Sequence, residues 1–345
     1  MAHLPENATR ENLSAEETSG DFTLSAETKV IFIFLGLTAL AITIANCLVF
    51  VLAWHMKFLR TKTNLFLLSL AASDLLSGVL VVPLVISCNV VYDSESICMV
   101  MDVCQRGLAI SSILHLASAV VERYLKISLP FKYLSIVTKP RIAVVLFTVW
   151  TSAMAVSLTQ LFLVDSLEDS VQTHLIYNTT VLCLFVFIPF IVTLVAFVRI
   201  YLIIKKGTVS RMKLTSTRHS IVQREKQRAN EKRSLMVYLT MLVCFIFAWL
   251  PYFFLTLLID LDYSIVSEIP HWVSVIFLFM KISSALLDPV LFTFFKADFQ
   301  KALRKAASGS WRDAPSMSRN STRSTRKRFE SNRSPDLPDK VLEFN

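Results

Sequence analysis

The chain has 345 residues, 54% of them hydrophobic and only 18% charged, with 25 Phe against 6 Gly. A soluble protein of this length carries more charge on its surface, and a disordered one carries far less apolar content. Six cysteines are too few for a disulfide-held secreted scaffold, and the net charge of +9 comes without a basic-aromatic module, so a polytopic membrane protein remains and no nucleic-acid partner is expected.

A bilayer core takes about 20 mostly apolar residues per helix. Windows of that length fall at residues 30–54, 63–88, 98–124, 142–164, 181–204, 235–259 and 272–295. They are too long and too continuous for barrel strands, and a span in lipid must satisfy its own backbone, so each is predicted as a helix. The fold class predicted is an all-α membrane protein, a seven-transmembrane helix bundle over 30–295, with a short amphipathic eighth helix over 296–305.

The segment 1–29 that precedes the first span is acidic, polar and predicted to be disordered. It has no basic stretch leading into an apolar one, so no cleaved signal peptide is expected. It carries sequons at Asn7 and Asn12, which are expected to be glycosylated if this end faces outward. A third sequon, at Asn178, sits close to the fifth span, and a fourth, at Asn320, is expected to be cytoplasmic and unused.

The inter-helix charges sort by side. Segments 1–29, 89–97, 165–180 and 260–271 sum to −12, whereas 55–62, 125–141, 199–233 and 296–345 sum to +22. Lys and Arg concentrate on the cytoplasmic side. The amino terminus is therefore predicted outside and the carboxyl terminus inside, and the net positive charge is read as a topology signal.

Within the windows stand Asp74, Asp102, Arg106, Glu122, Arg123, Lys281 and Asp288. Charges in lipid are costly and normally face the bundle interior. Glu122 and Arg123 lie at the inner end of the third window, where snorkelling would also explain them. Asp74 and Asp288 lie mid-span. With Asn46, Ser112 and Ser284 they are expected around one hydrated cavity, where an ion or a shared proton would relieve the repulsion between two carboxylates.

These residues carry a resemblance. Asn46, Leu70-Ala71-Ala72-Ser73-Asp74, Glu122-Arg123-Tyr124, Trp150, Pro189, Phe245 with Trp249-Leu250-Pro251, and Asp288-Pro289-Val290-Leu291-Phe292 follow one another in the order of the rhodopsin-like G-protein-coupled receptors. The chain resembles that family over residues 30–304. The resemblance implies a plasma-membrane receptor, not an enzyme, that binds an extracellular ligand in the bundle and activates heterotrimeric G proteins by outward movement of the sixth helix.

It implies roles for particular residues. Glu122, Arg123 and Tyr124 would serve G-protein coupling, with Arg123 and Glu231 as an inter-helix ion pair. Phe245, Trp249, Pro251, Asp288, Pro289 and Phe292 would form the activation switch, Pro251 kinking the sixth helix. Phe292 and Phe197 stand where the family usually has tyrosine. Asp74, Ser112, Ser284 and Asp288 would hold sodium in the resting receptor; no other cofactor is expected.

Ligand candidates are Asp102, Gln105, Arg106, Ala109, Trp249, Tyr252 and Lys281. The scaffold motifs resemble amine, melatonin and adenosine receptors, but Gln105 stands where amine receptors place their aspartate. Asp102 either substitutes for it or is neutralised by Arg106 one turn on. Lys281 raises an opsin-like alternative, yet it lies eight residues before Pro289 where opsins have seven. With Arg106 it offers instead a receiver for an acidic head group. A transporter or channel is the other alternative; no internal repeat supports it.

Cys98 matches the family's outer cysteine of the third helix, but residues 165–182 hold no cysteine to pair with it, so no disulfide is assumed. The basic 205–233 stretch is read as facing anionic lipid and the G protein. Phe299 and Leu303, four apart, give the eighth helix its apolar face. The tail 306–345 is predicted to be disordered, with Ser321, Thr322, Ser324 and Thr325 as targets for a receptor kinase and, through it, arrestin.

Overall fold

A computed structural model describes residues 25–90, 95–166, 171–211, 218–262 and 269–309. Among these residues there are helices and turns and no strand. Seven helices are long and apolar enough to cross a membrane. They are α1 (Ala26–His55), α2 (Lys62–Val90), α3 (Glu95–Ser128), α4 (Lys139–Ser166), α5 (Gln172–Lys205), α6 (Arg218–Leu261) and α7 (His271–Phe295), followed by α8 (Ala297–Ala307). The expected number and order of spans stand, and the ends shift. α1 starts four residues early because Ser25 caps it, its Oγ accepting from Thr28 N at 3.1 Å. α5 begins well before residue 181, so polar residues read as loop, Asn178 among them, belong to a helix. α8 runs two residues past the predicted end. The sequons at Asn7 and Asn12 and the tail phosphosites lie outside the described residues.

Burial is inverted relative to a soluble protein. α1 turns Phe34, Leu37, Leu40, Ile44 and Trp54 outward, while Leu35, Ile42, Asn46, Val49 and Ala53 form a helical stripe facing inward. An apolar exterior with a polar residue on the inner stripe suits a helix whose solvent is hydrocarbon. α3 is the central rod, packed on α2, α4, α5 and α6 and buried from Gln105 to Ser111.

Lipid tails are as apolar as leucine, so close packing takes over from water exclusion. Two glycines show it. A Cβ on Gly78 of α2 would stand 3.0 Å from Ile42 of α1, and one on Gly107 of α3 would stand 3.0 Å from Ser157 Oγ of α4. α2 and α5 each contain a wide turn, Ser77–Val81 and Leu182–Phe187. Each lies just ahead of a proline, Pro83 or Pro189, whose missing N–H and bulky ring the extra residue accommodates.

The sequence left open whether Cys98 pairs and with which cysteine; Cys88 at the end of α2 is bonded to Cys98 at the start of α3, with Cα atoms 4.9 Å apart. The partner of Cys98 lies ten residues upstream, not in the loop before α5. The short α2–α3 connection brings the two helix ends together, which fixes the pairing. Cys183 is free and exposed.

Candidate functional site

At the end of the bundle where α1 and α3 begin, polar side chains from five helices meet. Asp102 of α3 accepts from Arg106 Nη2 at 3.1 Å, from Gln160 Nε2 of α4 at 2.9 Å and from the Tyr252 hydroxyl of α6 at 2.6 Å. The i,i+4 spacing on α3 places Arg106 and Asp102 on one face, as the sequence suggested. Arg106 Nη1 also donates to Asn178 Oδ1 at 2.5 Å, and Asn178 Nδ2 donates to Asp260 Oδ2 at 2.5 Å. Tyr177 lies under the guanidinium, 5.4 Å from it, with its hydroxyl on the Val156 carbonyl.

Lys281 of α7 reaches into the same cluster from the other side. Its Nζ donates to Gln105 Oε1 at 3.3 Å and stands 3.7 Å from the centre of the Tyr252 ring. Trp249 is the floor. Its ring is 5.9 Å from Lys281 Nζ, its Nε1 donates to Ser284 Oγ at 3.3 Å, and it stacks on Phe245 at 6.1 Å. Ala109 is buried with Trp249, Phe253, Val181 and Leu182 in an apolar layer, so it contributes wall and no polar contact. The structure thus brings together all seven ligand candidates.

It also adds Gln160, Tyr177, Asn178 and Asp260, which sequence reasoning passed over. Gln160 was legible as a polar residue in an apolar span. Asn178 was masked by its sequon; it is 8% exposed and fully engaged, so its buried amide is unsuited to a glycan.

Deeper in the bundle, Asn46 Nδ2 donates to the Ala285 carbonyl at 3.3 Å, tying α1 to α7. Asp74 is buried, and the Asp288 carboxyl of α7 is its electrostatic neighbour. Asp74 Oδ2 and Asn46 Oδ1 are buried without a hydrogen-bond partner. Two orphaned acceptors, one of them a carboxylate oxygen, fit a small monovalent cation or a proton. Ser112 meets Ser73 at 3.4 Å, while Ser284 already holds Trp249 and the Lys281 carbonyl. Nearby, His115 bridges α3 to α2 through Ser69 Oγ at 2.7 Å, which also accepts from Trp150 Nε1 of α4 at 3.0 Å.

At the end of the bundle where α2 begins and α3 stops, Glu122 accepts from Thr63 Oγ1 of α2 at 2.6 Å and from the hydroxyl of Tyr133, on a one-turn helix Tyr133–Ile136. Burial and this bond to Glu122 push the Tyr133 phenol above its ordinary range. Arg123 donates to Ser234 Oγ of α6 at 3.0 Å. This α3–α6 link uses a neutral hydroxyl, and Glu231, the expected partner of Arg123, lies about one turn earlier on α6. Glu231 and Arg123 both line a cavity of about 210 Å³ with Lys126, Lys296 and Asp298. Tyr124 is partly buried against the surrounding apolar core.

Phe292 is fully buried, 5.2 Å from Phe299 of α8. Beside it lies Lys296, 1% exposed, whose Nζ donates to Asn64 Oδ1 of α2 and stands 5.9 Å from the Tyr238 ring. Burial first, then the nearby Arg123 charge, push the Lys296 ammonium down to about 7. Its charge at the end of α7 gave no sign in the sequence that it would turn inward.

The family described as 7 transmembrane receptor (rhodopsin family) matches residues 45–292. Mouse trace amine-associated receptor 9 is 27% identical over 314 residues, 81% of this chain and 85% of that receptor. Human 5-hydroxytryptamine receptor 4 is 27% identical over 329 residues, 84% of this chain and 81% of that receptor. The dog adenosine receptor A2b is 25% identical over 305 residues, 81% of this chain and 90% of that receptor.

Proposed function

Since the chain belongs to the rhodopsin family of seven-transmembrane receptors and is a G-protein-coupled receptor, we propose that it binds a small extracellular molecule at the Asp102–Arg106–Tyr252–Lys281 cluster and passes the signal through Trp249. The observation that carries this reading is the position of Trp249. It touches the polar cluster through Lys281 and Tyr252, and it stacks on Phe245 below. Two residues on, Pro251 leaves α6 one backbone bond short, which makes a hinge. A ligand that shifts Trp249 swings the inner part of α6 outward, away from α3. That swing parts Ser234 from Arg123 and opens the cytoplasmic cavity to a heterotrimeric G protein.

The charge asymmetry supports a plasma-membrane orientation with the amino terminus outside, glycosylated at Asn7 and Asn12. The tail Ser and Thr residues are proposed substrates of a receptor kinase, with arrestin reading the phosphates. α8, with Phe299 and Ala302 turned inward and Arg304 outward, is proposed to lie on inner-leaflet lipid. Asp74, Ser112, Ser284 and Asp288 would hold sodium or share a proton. A bound cation would supply one positive charge between the two carboxylates.

The test is guanine-nucleotide exchange on a panel of G proteins in membranes with and without this chain, repeated with Ser234→Ala. Chain-dependent exchange on at least one G protein, increased by the substitution, is the expected result. Silence across the panel in both forms overturns the coupling mechanism.

A further inference from the structure

Two of the receptors similar to this one are named for amines. The outer cluster has the opposite chemistry. Its inward carboxylate, Asp102, already accepts from three donors, Arg106, Gln160 and Tyr252. An incoming ammonium would have to break one of these bonds and displace a guanidinium. Asp260, the cluster's other acid, is bound by Asn178 at its outer edge.

The cations are less well satisfied. Among the described residues Lys281 has no carboxylate within ion-pair distance. It is 8% exposed, and of its three N–H donors one meets Gln105, with the ammonium otherwise resting on the Tyr252 ring. Arg106 Nε is also buried without a partner. A buried ammonium without a direct ion pair is costly even with Asp102 in the same cluster, and a ligand anion in contact with it recovers part of that cost as affinity. Next to Lys281 the wall is aromatic: Trp249, Tyr252 and Phe253, with ring centres 5.6–6.1 Å apart.

We infer that the ligand of this site is an aryl-alkyl carboxylate, its anionic head held by Lys281 and Gln105 and its ring set against Trp249 and Tyr252. This inference rests on the proposed outer ligand site and names its ligand class. The carboxylate replaces the π-face as partner of Lys281. That exchange loosens the ammonium from Tyr252, and Tyr252 and Trp249 both belong to α6, so anion binding is felt where the hinge is.

The experiment uses the full chain purified in lipid nanodiscs, with thermal unfolding as the binding readout. The probes are benzoate, phenylpropionate, indole-3-propionate and indole-3-butyrate, each matched with the primary amine of the same skeleton, up to about 10 mM. At least one acid raises the unfolding midpoint, and its matched amine does not. Lys281→Met weakens that acid about tenfold or more, whereas Lys281→Arg keeps it within a few-fold. The unliganded midpoints of both variants report whether they fold.

An amine that outperforms its acid, an acid response untouched by Lys281→Met, or silence from every acid overturns the inference. Nucleotide exchange is read separately. Acid binding without any G-protein response would remove the coupling mechanism and leave this inference standing; exchange without acid binding would do the reverse.

Discussion

The Tyr252 hydroxyl on α6 donates to Asp102 on α3 at 2.6 Å, joining residues 150 apart in the chain. This bond ties the outer part of the sixth helix to the central rod, on the far side of the Pro251 hinge from the Arg123–Ser234 contact. The two contacts hold the two ends of one lever.

Tyr252→Phe removes the outer tie and leaves Asp102 with two donors. A hydrogen bond to a charged group contributes about 1.5–3 kcal/mol, so the unfolding midpoint of the unliganded receptor falls by several degrees. Asp102→Asn falls further, because Arg106 then loses its counter-charge. A midpoint unchanged in Tyr252→Phe would show that the tie contributes nothing.

Ser234→Ala removes the inner tie. The loss of about 1 kcal/mol from the resting state raises ligand-independent nucleotide exchange roughly fivefold. Glu231→Gln has the smaller effect, since Arg123 points to Ser234. The ranking of the two basal activities checks it; the reverse order would make the Arg123–Glu231 ion pair the stronger tie.

Lys296 makes stability depend on pH. Its folded value is held down at about 7 against an ordinary 10.5, so between these limits the unfolded chain binds a proton that the folded chain lacks. Stability then rises with pH across that window, and below it the protonated ammonium carries its full desolvation cost. Lys296→Met removes this contribution. Unfolding midpoints measured from pH 6 to 10 should show a shallower rise in the variant than in the wild type, and parallel curves would exclude a buried titrating lysine.

Cys88→Ser and Cys98→Ser each open a ten-residue loop closed by the disulfide. Each lowers stability by about 2–3 kcal/mol in the chain-entropy account, and the double variant costs no more than either alone. Cys183→Ser, at a free and exposed thiol, leaves the midpoint in place. Additive losses in the double variant would mean the two sulfurs are not bonded to each other.

The sequence by itself determined the class and the frame. Hydrocarbon admits only helices and closed barrels, so seven apolar windows too long for barrel strands were enough to count the helices, and i,i+4 spacing was enough to put Arg106 on the face of Asp102. Periodicity within one helix is local physics. The identity of partners on other helices is not local, and only the tertiary structure decided it. Ser234 on Arg123, Cys88 as the partner of Cys98, and Tyr252 and Gln160 on Asp102 all depend on how far each helix slides and rotates against α3. The wide turns before Pro83 and Pro189 change that rotation by inserting a residue, and the short α2–α3 connection decides which cysteine faces which. Lys296 shows the same limit: whether a charge at a helix end reaches water or turns inward to Asn64 is settled by what packs around it.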